Sequence, residues 1–237
     1  MPIYRTLPTA ALLLGSSLIA QTAGAAGVVQ AVPFNWEPSA ALTWVDADDD
    51  SSSGETPLGF SVTLGGTSFS RFDMDSNGYI QLLTDTGSAS GSGYGSIDDL
   101  ILDDSSATYI LAAYDDLDSY YYGYYGYTLF SDRAVFNYTT ETFGDGGSGR
   151  LNIFQVVLHD DGRVNWNFMA SGYQYYEYDL FTGLYLADTN ELVEVIRNDI
   201  PSLSSYSYTP SAVPVPAAVW LFGSGLVGLV AVARRRG

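Results

Sequence analysis

Asp73, Asp75 and Asn77 alternate in the stretch Asp73-Met74-Asp75-Ser76-Asn77-Gly78-Tyr79-Ile80. A calcium-binding EF-hand loop spaces its first ligands this way, ahead of a glycine at the sixth position and an apolar residue at the eighth. The twelfth position is Thr84 and not a bidentate Glu, and the flanks read as strands where that loop needs helices. A hairpin turn accounts for the same residues, because Asn-Gly between apolar runs is a strong hairpin signal. Asp46-Ala47-Asp48-Asp49-Asp50 has a similar oxygen density, with Asp46, Asp48 and Asp50 at alternate positions. It lacks the glycine and the closing Glu, and a solvated acidic loop is the competing reading. Calcium is the candidate cofactor, and no motif requires another.

Three other groups of residues bear on chemistry. Asp115, Asp116 and Asp118 lie among aromatic residues, and paired carboxylates of this kind can hydrolyse glycosides, although nothing in the sequence fixes their separation. His159 is the one histidine and there is no cysteine, so a Ser or Cys nucleophile has a single potential base, set in the turn His159-Asp160-Asp161-Gly162. No Gly-x-Ser-x-Gly elbow, GxGxxG or P-loop is present. The chain therefore reads as non-enzymatic, with a carbohydrate-active hydrolase or a calcium-dependent binding module as alternatives. Tyr121, Tyr122, Tyr124 and Tyr125 belong to a tyrosine-rich run from Tyr114 to Tyr127 and are candidate contacts for a glycan or a protein partner.

Charge narrows the partners. All 27 acidic residues lie between Glu37 and Asp199, where the only cations are Arg71, Arg133, Arg150, Arg163 and Arg197. Such a surface repels nucleic acid and anionic headgroups and attracts divalent cations.

The elements that must position these residues are strands. Tyr, Phe, Val and Leu abound, and Gly, Ser and Asp recur about every ten residues, which predicts an all-β domain. Ala26 to Trp44 reads as a leader into a first strand with Leu42-Thr43-Trp44-Val45, ahead of strands at Leu58–Leu64 and Thr67–Phe72, the Asn77-Gly78 hairpin, and strands at Thr108–Tyr114 and Arg133–Thr139. In the last of these, Ala134, Phe136 and Tyr138 share a face opposite Arg133, Val135 and Asn137, so one face is expected to be buried. Leu151–Leu158 is apolar on both faces apart from Asn152 and Gln155 and belongs at the centre of a sheet. A half-solvated strand with Val164, Trp166 and Phe168 on one face follows, then Phe181–Ala187 and Leu192–Arg197. Residues 201–212 read as an extended linker.

Both termini point to export. Residues 1–25 have a short basic n-region, an apolar stretch and Ala23-Gly24-Ala25, the pattern of a signal peptide that signal peptidase removes. At the other end, Ala217 to Ala233 carries no charge and precedes Arg234, Arg235 and Arg236, the pattern of a single transmembrane helix with its arginines in the cytoplasm. The order Val213-Pro214-Val215-Pro216-Ala217-Ala218, Trp220-Leu221-Phe222-Gly223-Ser224-Gly225 and terminal arginines resembles the PEP-CTERM sorting signal of Gram-negative, exopolysaccharide-producing bacteria. Pro214-Val215-Pro216 stands where that signal has Pro-Glu-Pro. The resemblance implies processing by an exosortase, an inner-membrane-anchored intermediate, and delivery to the cell surface or an exopolysaccharide or biofilm matrix.

Within residues 26–200 a second resemblance holds. Asn77-Gly78-Tyr79-Ile80, Ile110 to Asp118, Arg133-Ala134-Val135-Phe136, Phe154-Gln155-Val156-Val157-Leu158 with Asp161-Gly162, and Thr182-Gly183-Leu184 follow in order the landmarks of nidogen-like extracellular domains. Tyr114 stands where that family commonly has Trp. The resemblance implies a β-sandwich-like module that adheres and does not catalyse, binding exopolysaccharide or matrix proteins.

Overall fold

The computed structural model describes residues 27–38, 41–45, 49–90, 96–120, 123–144, 147, 149–172 and 179–211. The expected signal peptide and the whole sorting tail lie outside them, as do Asp46, Asp48, Tyr121 and Tyr122. Among the described residues no helix is long and apolar enough to cross a membrane.

Two antiparallel sheets enclose one apolar core. The first runs from edge to edge as β1 (Val28–Val32), β14 (Ser204–Thr209), β11 (Val164–Ala170), β10 (Asn152–His159), β9 (Arg133–Thr142), β8 (Tyr124–Leu129) and β2 (Thr43–Val45). Short β7 (Leu117–Asp118) pairs with the far end of β9. The second sheet runs β13 (Glu191–Arg197), β12 (Phe181–Leu186), β6 (Thr108–Tyr114), β5 (Tyr79–Leu83), β4 (Thr67–Met74) and β3 (Thr56–Leu64). The strand apolar on both faces, β10, sits at the middle of its sheet as its sequence requires.

Side-chain alternation builds the core. Ala134, Phe136 and Tyr138 of β9, Phe154, Val156 and Leu158 of β10, and Val164, Trp166 and Phe168 of β11 all point inward. They meet Leu58, Val62, Phe72, Ile80, Ile110 and Leu184 of the other sheet. An aromatic row crosses the first sheet from Tyr125 through Tyr138, Phe154 and Phe168 to Tyr206, with successive ring centroids 4.7–6.3 Å apart. Trp166 Nε1 donates to Leu111 O at 3.0 Å, so its polar tip is satisfied across the sandwich. Among the described residues one α-helix, α1 (Ile97–Asp103), which the strand pattern does not announce, starts at a capping box formed by Ser96 and Asp99. Its Ile97 and Leu100 cover Tyr109, Tyr114, Phe181 and Tyr185 on the outer face of the second sheet.

Three expectations change. Ser204–Thr209 is not linker: Tyr206 and Tyr208 alternate with Ser205 and Ser207, and the segment inserts as β14 between β1 and β11. The leader contains an edge strand, β1, and its continuation crosses the outer face of the first sheet. There Glu37 N donates to Gln155 Oε1 at 2.9 Å, Gln155 Nε2 donates to Glu37 O at 2.9 Å, and Asn35 N donates to Ser205 Oγ at 3.2 Å. Asn137 and Asn167, expected on solvated faces, are buried beneath it.

Candidate functional site

The two acidic stretches, 27 residues apart at Asp50 and Asn77, fold into one corner. Asp49–Ser53 is not a free loop. Ser51 N donates to Ser76 Oγ at 3.0 Å, Ser76 N to Ser51 O at 2.8 Å and Ser53 N to Met74 O at 2.8 Å, while Ser52 and Ser53 donate their hydroxyls to Asp73. Ser51 Oγ also lies 2.8 Å from the hydroxyl of Tyr125 at the end of the aromatic row. This pairing extends the end of β4 by a bridge between Ser52 and Asp75.

Asn77 joins three segments. It is fully buried, its Nδ2 donates to Asp50 Oδ1 at 2.9 Å, and its Oδ1 accepts from Leu117 N at 2.9 Å. Its backbone carbonyl accepts from Asp115 N at 3.3 Å. The turn is possible because Gly78 has φ +78°, and a Cβ there would stand 2.5 Å from Ala113 O. Asn77 itself does not take positive φ, so the turn is not the two-residue type that Asn-Gly first suggests.

The result is a concentration of negative charge. One oxygen from each of Asp49, Asp50 and Asp116 lies within 4.8 Å of the others. Burial pushes Asp75 up to about 8, with Asp73 and Asp50 adding repulsion. Burial likewise pushes Asp116 up to about 7, with Asp49, Asp50, Asp115 and Asp118 adding to it. Asp73 is also raised by burial, against the hydrogen bonds from Ser52 and Ser53. The charges named as acting on these groups are all of one sign.

Of the residues the sequence singles out, Asp50, Asp75 and Asn77 come together here, whereas Asp73 is a strand residue whose carboxylate is occupied by Ser52 and Ser53. Asp116, read from sequence as a glycosidase candidate, joins Asp49 and Asp50. His159 ends β10, with its Nε2 3.0 Å from Asn165 Nδ2 and its pKa lowered, chiefly by burial.

The tyrosine reading needs a correction. Tyr125 is fully buried in the core, so it cannot meet a ligand, because Tyr124 and Tyr125 point to opposite faces of β8. Tyr124 is 43% exposed and packs edge-on to Trp44, itself 60% exposed, with centroids 4.8 Å apart. With Trp36, Asn137 and Thr139 they line a cleft of about 320 Å³ on the outer face of the first sheet. Trp36 and Trp44 were missed from sequence because they sit in the leader and a three-residue strand, and only the folded register brings them beside Tyr124.

The family model described as NIDO related matches residues 29–217. The chain belongs to this family. The match begins in β1 and continues past β14, so it takes in the stretch that reads as linker from sequence. No curated protein and no solved structure matches the chain.

Proposed function

We propose that this NIDO-related chain is a non-enzymatic, exported surface or matrix protein that adheres through the outer face of its first sheet. The observation that carries the reading is the cleft of Trp36, Trp44 and Tyr124. Exposed large aromatics are the side chains that contribute most area at binding surfaces for the least ordering cost, and their faces suit the apolar faces of sugar rings. The acidic surface favours a neutral glycan over an anionic one.

Delivery follows from the termini. Signal peptidase removes residues 1–25, the apolar tail with Arg234, Arg235 and Arg236 holds the protein in the inner membrane, and an exosortase cuts near Pro214-Val215-Pro216 before release to the surface or the exopolysaccharide matrix. Retention on matrix polysaccharide tests the adhesive part. Wild-type protein is expected to bind and Trp44→Ala to wash through; equal retention of both would remove the cleft from the account.

A further inference from the structure

We propose that Gln155 and Arg133, acting through Glu37, position Trp36 and so set the affinity of the aromatic cleft, although none of the three lines it. The inference rests on the reading of that cleft as a binding site. Of its three exposed or half-buried aromatic residues, two stand on paired strands. Trp44 belongs to β2 and Tyr124 to β8, which pair with Trp44 opposite Gly126, and the two rings meet edge-on at 4.8 Å. Trp36 has no such support, because residues 33–38 belong to no strand.

Side chains of the sheet anchor this strap on both sides of Trp36. Before it, Asn35 N donates to Ser205 Oγ at 3.2 Å. After it, Glu37 N donates to Gln155 Oε1 and Gln155 Nε2 donates to Glu37 O, both at 2.9 Å. One amide that both accepts from and donates to the main chain of one residue fixes it as a partner residue in an antiparallel ladder would. The Glu37 side chain is held as well, by Arg133 Nε donating to its Oε2 at 2.7 Å. Arg133 is itself braced, by Asp132 at 2.9 Å and by the Phe130 ring 4.1 Å from its guanidinium carbon. A charge-assisted bond to a braced guanidinium is stronger and more directional than a neutral one.

Gln155 is fixed from below. It is fully buried at the centre of the first sheet, where its amide donates to Asn137 Oδ1 at 2.9 Å and accepts from Asn167 Nδ2 at 3.2 Å. The row therefore carries the register of β9, β10 and β11 to a segment outside the ladder. With the strap fixed in advance, a ligand does not have to order it, and that cost is removed from binding. A strap docked only part of the time lowers the apparent affinity by the docked fraction.

The test follows retention of the full chain on immobilised matrix polysaccharide and, with no glycan present, amide hydrogen exchange of residues 33–37. Gln155→Met keeps the side-chain length without the amide and should weaken retention about three- to tenfold. Because this variant also strips partners from Asn137 and Asn167, Glu37→Ala is the second probe. It leaves the row intact and should weaken retention about two- to fourfold, with faster exchange confined to residues 33–37. In a Trp36→Ala background neither substitution should weaken retention further, a result that lost stability alone would not give. Full additivity of Trp36→Ala and Glu37→Ala would overturn the proposal, as would exchange of residues 33–37 in Glu37→Ala equal to that of the wild type. If Gln155→Met and Glu37→Ala bind like the wild type while Trp44→Ala washes through, the cleft stands and the positioning role falls. Trp44→Ala retained like the wild type would remove the cleft and the positioning role with it.

Discussion

Asn137, Gln155, Asn167 and Ser205 are buried polar side chains, and so is Asp75, yet they are satisfied in different ways. The first four form a row across β9, β10, β11 and β14, directly opposite one another in register. Gln155 Nε2 donates to Asn137 Oδ1 at 2.9 Å, Asn167 Nδ2 to Gln155 Oε1 at 3.2 Å and Ser205 Oγ to Asn167 Oδ1 at 2.7 Å, while Asn35 and Glu37 complete the set from above. These groups are neutral, and the row closes on itself. In the acidic corner Asp75 is as deep, whereas Asp49 and Asp116 are half-buried and Asp50 is exposed, and the charges acting on Asp75 and Asp116 are all of one sign. A satisfied neutral network fixes structure, holding the leader on the sheet. In the acidic corner burial and like charge instead hold protons on Asp75 and Asp116.

The largest effect should come from breaking the neutral row. Gln155→Leu strips partners from Glu37, Asn137 and Asn167 at once and should cost about 3–5 kcal/mol by denaturant unfolding. Asn77→Ala sharpens the contrast, because Asn77 serves the corner. It should cost about 2 kcal/mol by the same measurement, since the segments that carry Asp50 and Asp116 lose their common tie.

The pH dependence separates the regions further. Asp75 and Asp116 are raised to about 8 and about 7 from an ordinary 3.8, so the folded chain holds protons that the unfolded chain has released. Their contribution is fully present below about pH 4 and is lost as pH rises through about 7 and 8. Thermal unfolding in EDTA should therefore show stability falling across this window. Gln155→Leu should fall in parallel with the wild type, whereas Asp116→Asn should fall less. The smallest change in stability, under about 1 kcal/mol, is expected for Trp44→Ala, whose indole is exposed and meets Tyr124 at an edge. Its effect belongs in glycan retention and not in the melt.

The sequence revealed the strands whose faces differ. Alternation placed Ala134, Phe136 and Tyr138, and likewise Val164, Trp166 and Phe168, on the core side, and a run apolar on both faces put β10 at the centre. Ser205-Tyr206-Ser207-Tyr208 carries the same alternation, but its serines and flanking Pro residues resemble linker until β1 and β11 are seen on either side. The acidic corner was half visible. Asp50, Asp75 and Asn77 stand out in the sequence, but in two separate loops, and local spacing cannot show that a buried asparagine joins them. Asp116 was noticed for a different chemistry. Tyr125 was misjudged because a run of tyrosines hides the period of two, and only the pairing of β8 with β9 tells which ring faces inward.

The most direct measurement is the Tm of the wild-type full chain at about pH 5 and about pH 8, both in EDTA. The expected result is a Tm that falls from the lower pH to the higher, as the folded chain loses the protons that burial holds on Asp75 and Asp116. An unchanged Tm at the two pH values would contradict it, and the two carboxyls would then be ionised in the folded chain at both.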